Sequence, residues 1–148
     1  MESSWKKIFE SFDFKLSDYA KLIEKIKKSM SEKTIILLDG PLGAGKTTFV
    51  SHLCESYGIG FVSSPTYALH QIYQNKEISI DHFDLYRLES EEDVESVGFW
   101  DVFSKEKGLV VVEWSSKIDL DHWPMDWKMI KIEFLKNEER RAVLVFSE

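Results

Sequence analysis

The stretch TIILLDGPLGAGKTT, Thr34 to Thr48, joins a short apolar segment to a glycine-rich loop, and its reading decides the rest of the chain. Ile35 to Leu38 predict a buried strand. From Lys46 to Tyr57 the apolar residues Phe49, Val50 and Leu53 recur at helical spacing until Gly58 and Gly60 end the pattern. Strand, loop and helix therefore follow in that order. Within the loop, Gly40, Gly45, Lys46 and Thr47 satisfy G-x-x-x-x-G-K-[ST]. Such a match arises by chance in roughly one in a few hundred chains of this length, so the strand–loop–helix setting makes a phosphate-binding loop the better reading than an incidental turn.

The residue types suit that task. A triphosphate needs donors that approach from several sides, and glycines let the backbone curl until the N–H groups of Leu42, Gly43, Ala44 and Gly45 and of the helix start point inward. Lys46 would reach the β- and γ-phosphates as a compact positive charge. The Thr47 hydroxyl would coordinate Mg²⁺, a cation that prefers oxygen ligands, and Thr48 adds a contact near the α-phosphate. A site of this kind also needs a carboxylate at the tip of a neighbouring strand. Glu113 follows the apolar run Leu109 to Val112, and Asp84 ends a second candidate strand. Asp81 reads as an impostor, and His82 as a packed or surface histidine, because no second histidine stands at metal-ligand spacing.

Outward from the loop, Ser17 to Met30 reads as a helix with Ser17 or Asp18 at its N-cap and Leu22, Ile23 and Ile26 on one face. Glu77 to Leu85 and Gly108 to Trp114 read as strands, with the acidic run from Glu89 to Ser96 opening a helix between them. Alternation of strands and helices predicts an α/β fold: three layers, with helices on both faces of a mainly parallel central sheet. KMIKIEFL and RRAVLVF, around the turn KNEER, predict a C-terminal antiparallel hairpin attached to that sheet. With 148 residues, no repeat and no long linker, the expectation is a single domain spanning 1–148.

Composition narrows the function classes. With 43% hydrophobic and 14% aromatic residues, disorder is excluded, and no apolar run reaches the roughly 20 residues of a membrane span. A soluble protein without an export signal is expected, and the lone Cys54 fits a reducing cytoplasm. The net charge of −7 repels polyanions, so DNA is not an expected partner. Lys25, Lys27 and Lys28 read as the solvated side of a helix. Asn75-Lys76-Glu77-Ile78 lacks the acidic fourth residue of a guanine-reading N-K-x-D, which leaves ATP as the expected nucleotide.

Four blocks, GPLGAGKTTF, SSPTY, HFDLYRL and VVEW, occur in an order that resembles the TsaE (YjeE) family of small bacterial P-loop ATPases needed to make threonylcarbamoyladenosine in tRNA. The resemblance covers approximately Leu38 to Trp114. It implies that Asp84 belongs to the nucleotide site, that Glu113 is a magnesium-associated carboxylate, and that Thr66, with Ser64 beside it, senses the γ-phosphate or its water. Taken from the residues alone, SSPTY is a plain Ser-Pro turn. The resemblance also implies a TsaB–TsaD type protein pair as partner, with tRNA reached only through it. Pro41 stands where the family usually has an acidic residue, Glu24 and other helix formers replace a glycine common in the first helix, and the family's C-terminal basic residue falls on either Arg140 or Arg141.

Arginine is scarce: Arg87, Arg140 and Arg141 are the whole complement. Phosphoryl transfer commonly relies on an arginine to stabilise the γ-phosphate oxygens, so slow hydrolysis alone and completion by a docked partner are expected. The alternatives are a small-molecule P-loop kinase, which the arginine count disfavours, and a non-catalytic nucleotide-binding scaffold.

Overall fold

The computed structural model describes residues 5–41, 43–60, 70–114, 118–119, 122–138 and 140–148. Among them, strands β1 (Lys6–Ser11), β2 (Lys33–Asp39), β3 (His70–Gln74), β4 (Ser79–Asp84), β5 (Gly108–Glu113), β6 (Lys128–Asn137) and β7 (Arg140–Ser147) form one sheet in the order β1-β7-β6-β2-β5-β4-β3. The helices are α1 (Tyr19–Ser29), α2 (Lys46–Glu55) and α3 (Glu91–Ser96), with 3₁₀ turns at Leu16–Asp18 and Phe99–Ser104. The central strands β6, β2, β5 and β4 run parallel, and β3, β7 and β1 add antiparallel edges.

The apolar runs explain the centre. β2 and β5 are β-branched and leucine-rich and buried on both faces, as parallel strands under helices must be. Period-2 alternation divides them between two cores. Ile36, Leu38, Leu109 and Val111 pack with Leu22 and Ile26 of α1 and Phe49 and Leu53 of α2. Ile35, Leu37, Val110 and Val112 pack on the other face with Phe83, Val94, Phe99, Trp123 and Trp127. That second layer is largely aromatic: Phe99 meets Phe83, Phe103 and Trp123 edge-on, and the Trp127 indole donates to the Phe103 carbonyl at 3.2 Å.

The three-layer α/β architecture with its C-terminal hairpin is as the sequence predicts, with two additions. β1 lies against β7 at one edge and β3 against β4 at the other. The predicted strand 77–85 is shortened at its start because Asn75 accepts from the amides of Glu77 and Ile78, making a turn between β3 and β4. The first helix starts at Tyr19, and Asp18 spends its carboxylate on the Lys15 amide instead of capping that helix. Among the described residues, no helix is long and apolar enough to cross a membrane.

Candidate functional site

The parallel registers bring three strand ends together. Leu38 of β2 is level with Glu113 of β5, and Glu113 is level with Asp84 of β4. The glycine loop leaves β2 at the same level, directly after Asp39, and enters α2 at Lys46. Alternation then places Asp84, His82 and Glu113 on the face that carries α1 and α2, whereas Asp81 points to the aromatic layer.

The loop's geometry depends on its glycines. Gly45 has φ of 113°, in the left-handed region, and a Cβ there would sit 2.6 Å from the Tyr19 hydroxyl. A Cβ at Gly43, with φ of 77°, would meet nothing within 4 Å, so the loop is open on that side. Tyr19 fastens the loop to α1: its hydroxyl donates to the Gly45 carbonyl at 3.3 Å, and its ring stacks on His52 of α2 at 4.5 Å. Nothing in the sequence singles out Tyr19, since an aromatic at the start of an amphipathic helix reads as core.

Lys46 is buried at the centre of this arrangement. Its ammonium donates to the Gly40 carbonyl at 2.7 Å and lies 3.8 Å from the centroid of the Trp114 ring. Burial lowers its pKa, and the charges of Glu113, Asp84 and Asp39 oppose that shift. Trp114 follows β5 with φ of 62°, a strained conformation for a bulky residue, and its ring also contacts Tyr86 at 4.8 Å. Asp84 is half-buried, accepts from the Tyr86 amide at 3.0 Å, and has its pKa raised by burial and then by the charge of Glu113.

Glu113 is buried and makes a 2.6 Å hydrogen bond with Nε2 of His82, which is itself fully buried. Nδ1 of the same ring meets the Tyr73 hydroxyl at 3.2 Å. His82 is thus packed, as the sequence predicts, but it is packed onto a candidate site carboxylate. A sequence offers no view of that contact, because it depends on β4 and β5 being neighbours in register.

Thr47 and Thr48 stand exposed in the first turn of α2. Asp81 is held by His70 at 2.7 Å and Lys105 at 2.8 Å, away from the loop. Arg87 is exposed in the turn after β4. Arg141 shares the α1 face of β7 with Val143 and Val145, and its charge acts on Tyr19. Leu42, Ser64 and Thr66 lie outside the described residues.

The residues present suit a nucleotide and Mg²⁺. Thr47, Asp84 and Glu113 offer oxygens, the hard type that Mg²⁺ takes, and the mutual repulsion of Asp84 and Glu113 is the kind a divalent cation relieves. The buried Lys46 ammonium beside an open glycine turn matches a polyanionic tail. Among the described residues no group of three or more His, Cys, Asp or Glu side chains is gathered as a metal cage.

Comparison with known proteins identifies the family. The family model described as threonylcarbamoyl adenosine biosynthesis protein TsaE matches residues 15–143. Proteins named tRNA threonylcarbamoyladenosine biosynthesis protein TsaE from Rickettsia felis and Haemophilus influenzae are 39% and 41% identical over 103 and 99 residues. Each match covers 66% of this chain, and respectively 57% and 62% of the relative. The protein of that name from Bacillus subtilis is 35% identical over 107 residues, 72% of this chain and 65% of its own. The matched segment therefore spans between about half and two thirds of these relatives' length. The crystal structure of Bacillus subtilis YdiB shares the fold, with a TM-score of 0.70 at 21% identity over 97% of this chain and 86% of that one. The chain belongs to the TsaE family.

Proposed function

We propose that this chain is a Mg²⁺-dependent ATPase subunit required for threonylcarbamoyladenosine modification of tRNA, hydrolysing ATP to ADP and phosphate when docked on a TsaB–TsaD type protein pair. The observation that carries the reading is the meeting of the glycine loop, the buried Lys46 and the register-matched Asp84 and Glu113 at the carboxyl ends of β2, β4 and β5. Open parallel sheets bind ligands at those ends.

Each side chain has a task that follows from its chemistry. The loop amides from Leu42 to Gly45 and the start of α2 hold the phosphates, and Lys46 exchanges the Gly40 carbonyl and the Trp114 face for phosphate oxygens. Thr47 and Glu113 would hold Mg²⁺, which when bound supplies charge neutralisation at the β- and γ-phosphates. Asp84 orders the polar side of the site, Thr48 adds a contact near the α-phosphate, and Thr66 is proposed to sense the γ-phosphate or its water. Arg87 is too exposed to stabilise a transferring phosphoryl group from inside the site, which supports completion of the site by a docked partner. The partner pair also holds the tRNA, a division of labour that the net charge of −7 favours.

The test is ATP turnover by the purified chain, with and without the protein pair and tRNA. Slow turnover alone and a large acceleration by the pair are expected. Full-speed turnover that the pair leaves unchanged overturns the partner-dependent mechanism, and a phosphorylated small molecule in place of free phosphate points to a kinase.

A further inference from the structure

Glu113 is a buried acid with His82 against it and Tyr73 behind His82. His82 has no exposed surface, Glu113 is 3% exposed, and the two meet at 2.6 Å. Their backbones are not opposite one another: His82 is level with Val111, so its ring reaches two residues along β5, towards the strand's carboxyl end, to find the carboxylate. On its other side the ring meets Tyr73 of the edge strand β3, also buried. The chain Tyr73–His82–Glu113 thus runs beneath the site from the sheet's edge to the end of a central strand.

We propose that His82 is a positioning residue for Glu113, with Tyr73 fixing its tautomer. This rests on the reading of Glu113 as a carboxylate of the magnesium–nucleotide site. A carboxylate only accepts, so Nε2 of His82 donates; in the neutral ring Nδ1 is then the acceptor for the Tyr73 hydroxyl. One oxygen of Glu113 is thereby fixed, the arrangement by which outer partners orient a metal-binding group. His82 itself touches neither nucleotide nor metal. Its effect is exerted wholly through Glu113.

Two measurements on the full chain test this. The first needs no nucleotide: ring ¹⁵N spectra should show the His82 proton on Nε2 and slow to exchange, the protection should vanish in Glu113→Ala, and the Nδ1 signal should move in Tyr73→Phe. A proton on Nδ1 alone in the unaltered chain overturns the proposal. The second compares His82→Leu with His82→Gln, whose amide places a donor near the position of Nε2. Metal-free ADP should bind both variants as it binds the parent. The Mg²⁺ concentration for half-maximal partner-stimulated turnover should rise about tenfold in His82→Leu and return most of the way in His82→Gln. Should His82→Leu fail to fold, His82→Gln and Tyr73→Phe carry the test, with parent-like Mg²⁺ dependence expected in the first and a few-fold rise in the second.

In a Glu113→Ala background, His82→Leu should add nothing to the kinetic defect. An added defect there, or folded His82→Leu and His82→Gln variants with equal Mg²⁺ dependence, overturns the positioning role. If instead Glu113→Ala turns over ATP as the parent does, the magnesium–nucleotide reading itself is what fails, and the positioning role falls with it.

Discussion

The ammonium of Lys46 lies over the ring of Trp114, 3.8 Å from its centroid, while donating to the Gly40 carbonyl. The lysine expected to grip phosphate is therefore engaged by its own protein, and a nucleotide must draw it away. Removing a cation from an indole face at a partly desolvated site changes that ring's surroundings by an interaction worth about 1–2 kcal/mol. Addition of ATP should accordingly alter tryptophan emission, and Trp114→Phe should remove most of the change although four other tryptophans remain of the five. An undiminished signal in Trp114→Phe would place the response elsewhere.

Lys46→Ala and Thr47→Ala should separate two parts of the binding energy. Loss of the buried ammonium removes a cation from the loop's wall and should weaken ATP by about a hundredfold or more, with or without Mg²⁺. Loss of the exposed Thr47 hydroxyl should mainly reduce the gain in affinity that Mg²⁺ confers. Calorimetric titration at high and low Mg²⁺ checks both, and equal, parent-like affinity in the two variants contradicts the assignment.

Gly45 has both a left-handed backbone and a neighbour in the way. Gly45→Ala should cost about 1–3 kcal/mol of unfolding free energy, because the new methyl falls 2.6 Å from the Tyr19 hydroxyl at a φ of 113°. Tyr19→Phe alone should cost about 1 kcal/mol through its lost hydrogen bond to the Gly45 carbonyl. Combined, the two should cost less than their sum, since removing the hydroxyl makes room for the methyl. Denaturant unfolding of the three variants measures this directly.

How much of this was legible in the sequence follows from what each feature depends on. The loop, β2, α2 and the strand-end acids are local patterns, and Lys46, Asp84 and Glu113 come together as their positions in those patterns require. The edge strands were not legible. β1 carries KKIFES, with charges on either side of Ile8 and Phe9 and no fully buried residue, so neither a continuous apolar run nor a clean alternation marks it. β3, HQIYQ, is polar apart from Ile72 and Tyr73, and the isoleucine points to solvent while the tyrosine goes inside. Tyr19 and His82 were hidden for another reason: their significance lies in contacts 26 and 31 residues away along the chain. Only the register of neighbouring strands and the packing of α1 on α2 create those contacts.

Cys54 is fully buried, and burial pushes its thiol from 9.0 up to about 11. The folded chain therefore holds that proton more tightly than the unfolded chain does. Its contribution to stability is complete below about pH 9 and is lost as pH rises towards about 11. Two results are expected: alkylation of the native thiol at pH 8 far slower than that of the denatured chain, and a flatter fall in stability from pH 9 to 11 in Cys54→Ala. Rapid native labelling would show that the site opens readily.

The most direct measurement is a crystal structure of the chain with Mg²⁺ and a non-hydrolysable ATP analogue. The triphosphate is expected along residues 40–48, with Lys46 turned from the Gly40 carbonyl onto phosphate oxygens and the metal between Thr47 and the Glu113 side of the site. A nucleotide bound elsewhere, or Lys46 still resting on Trp114 with Asp84 and Glu113 turned from the ligand, would contradict it.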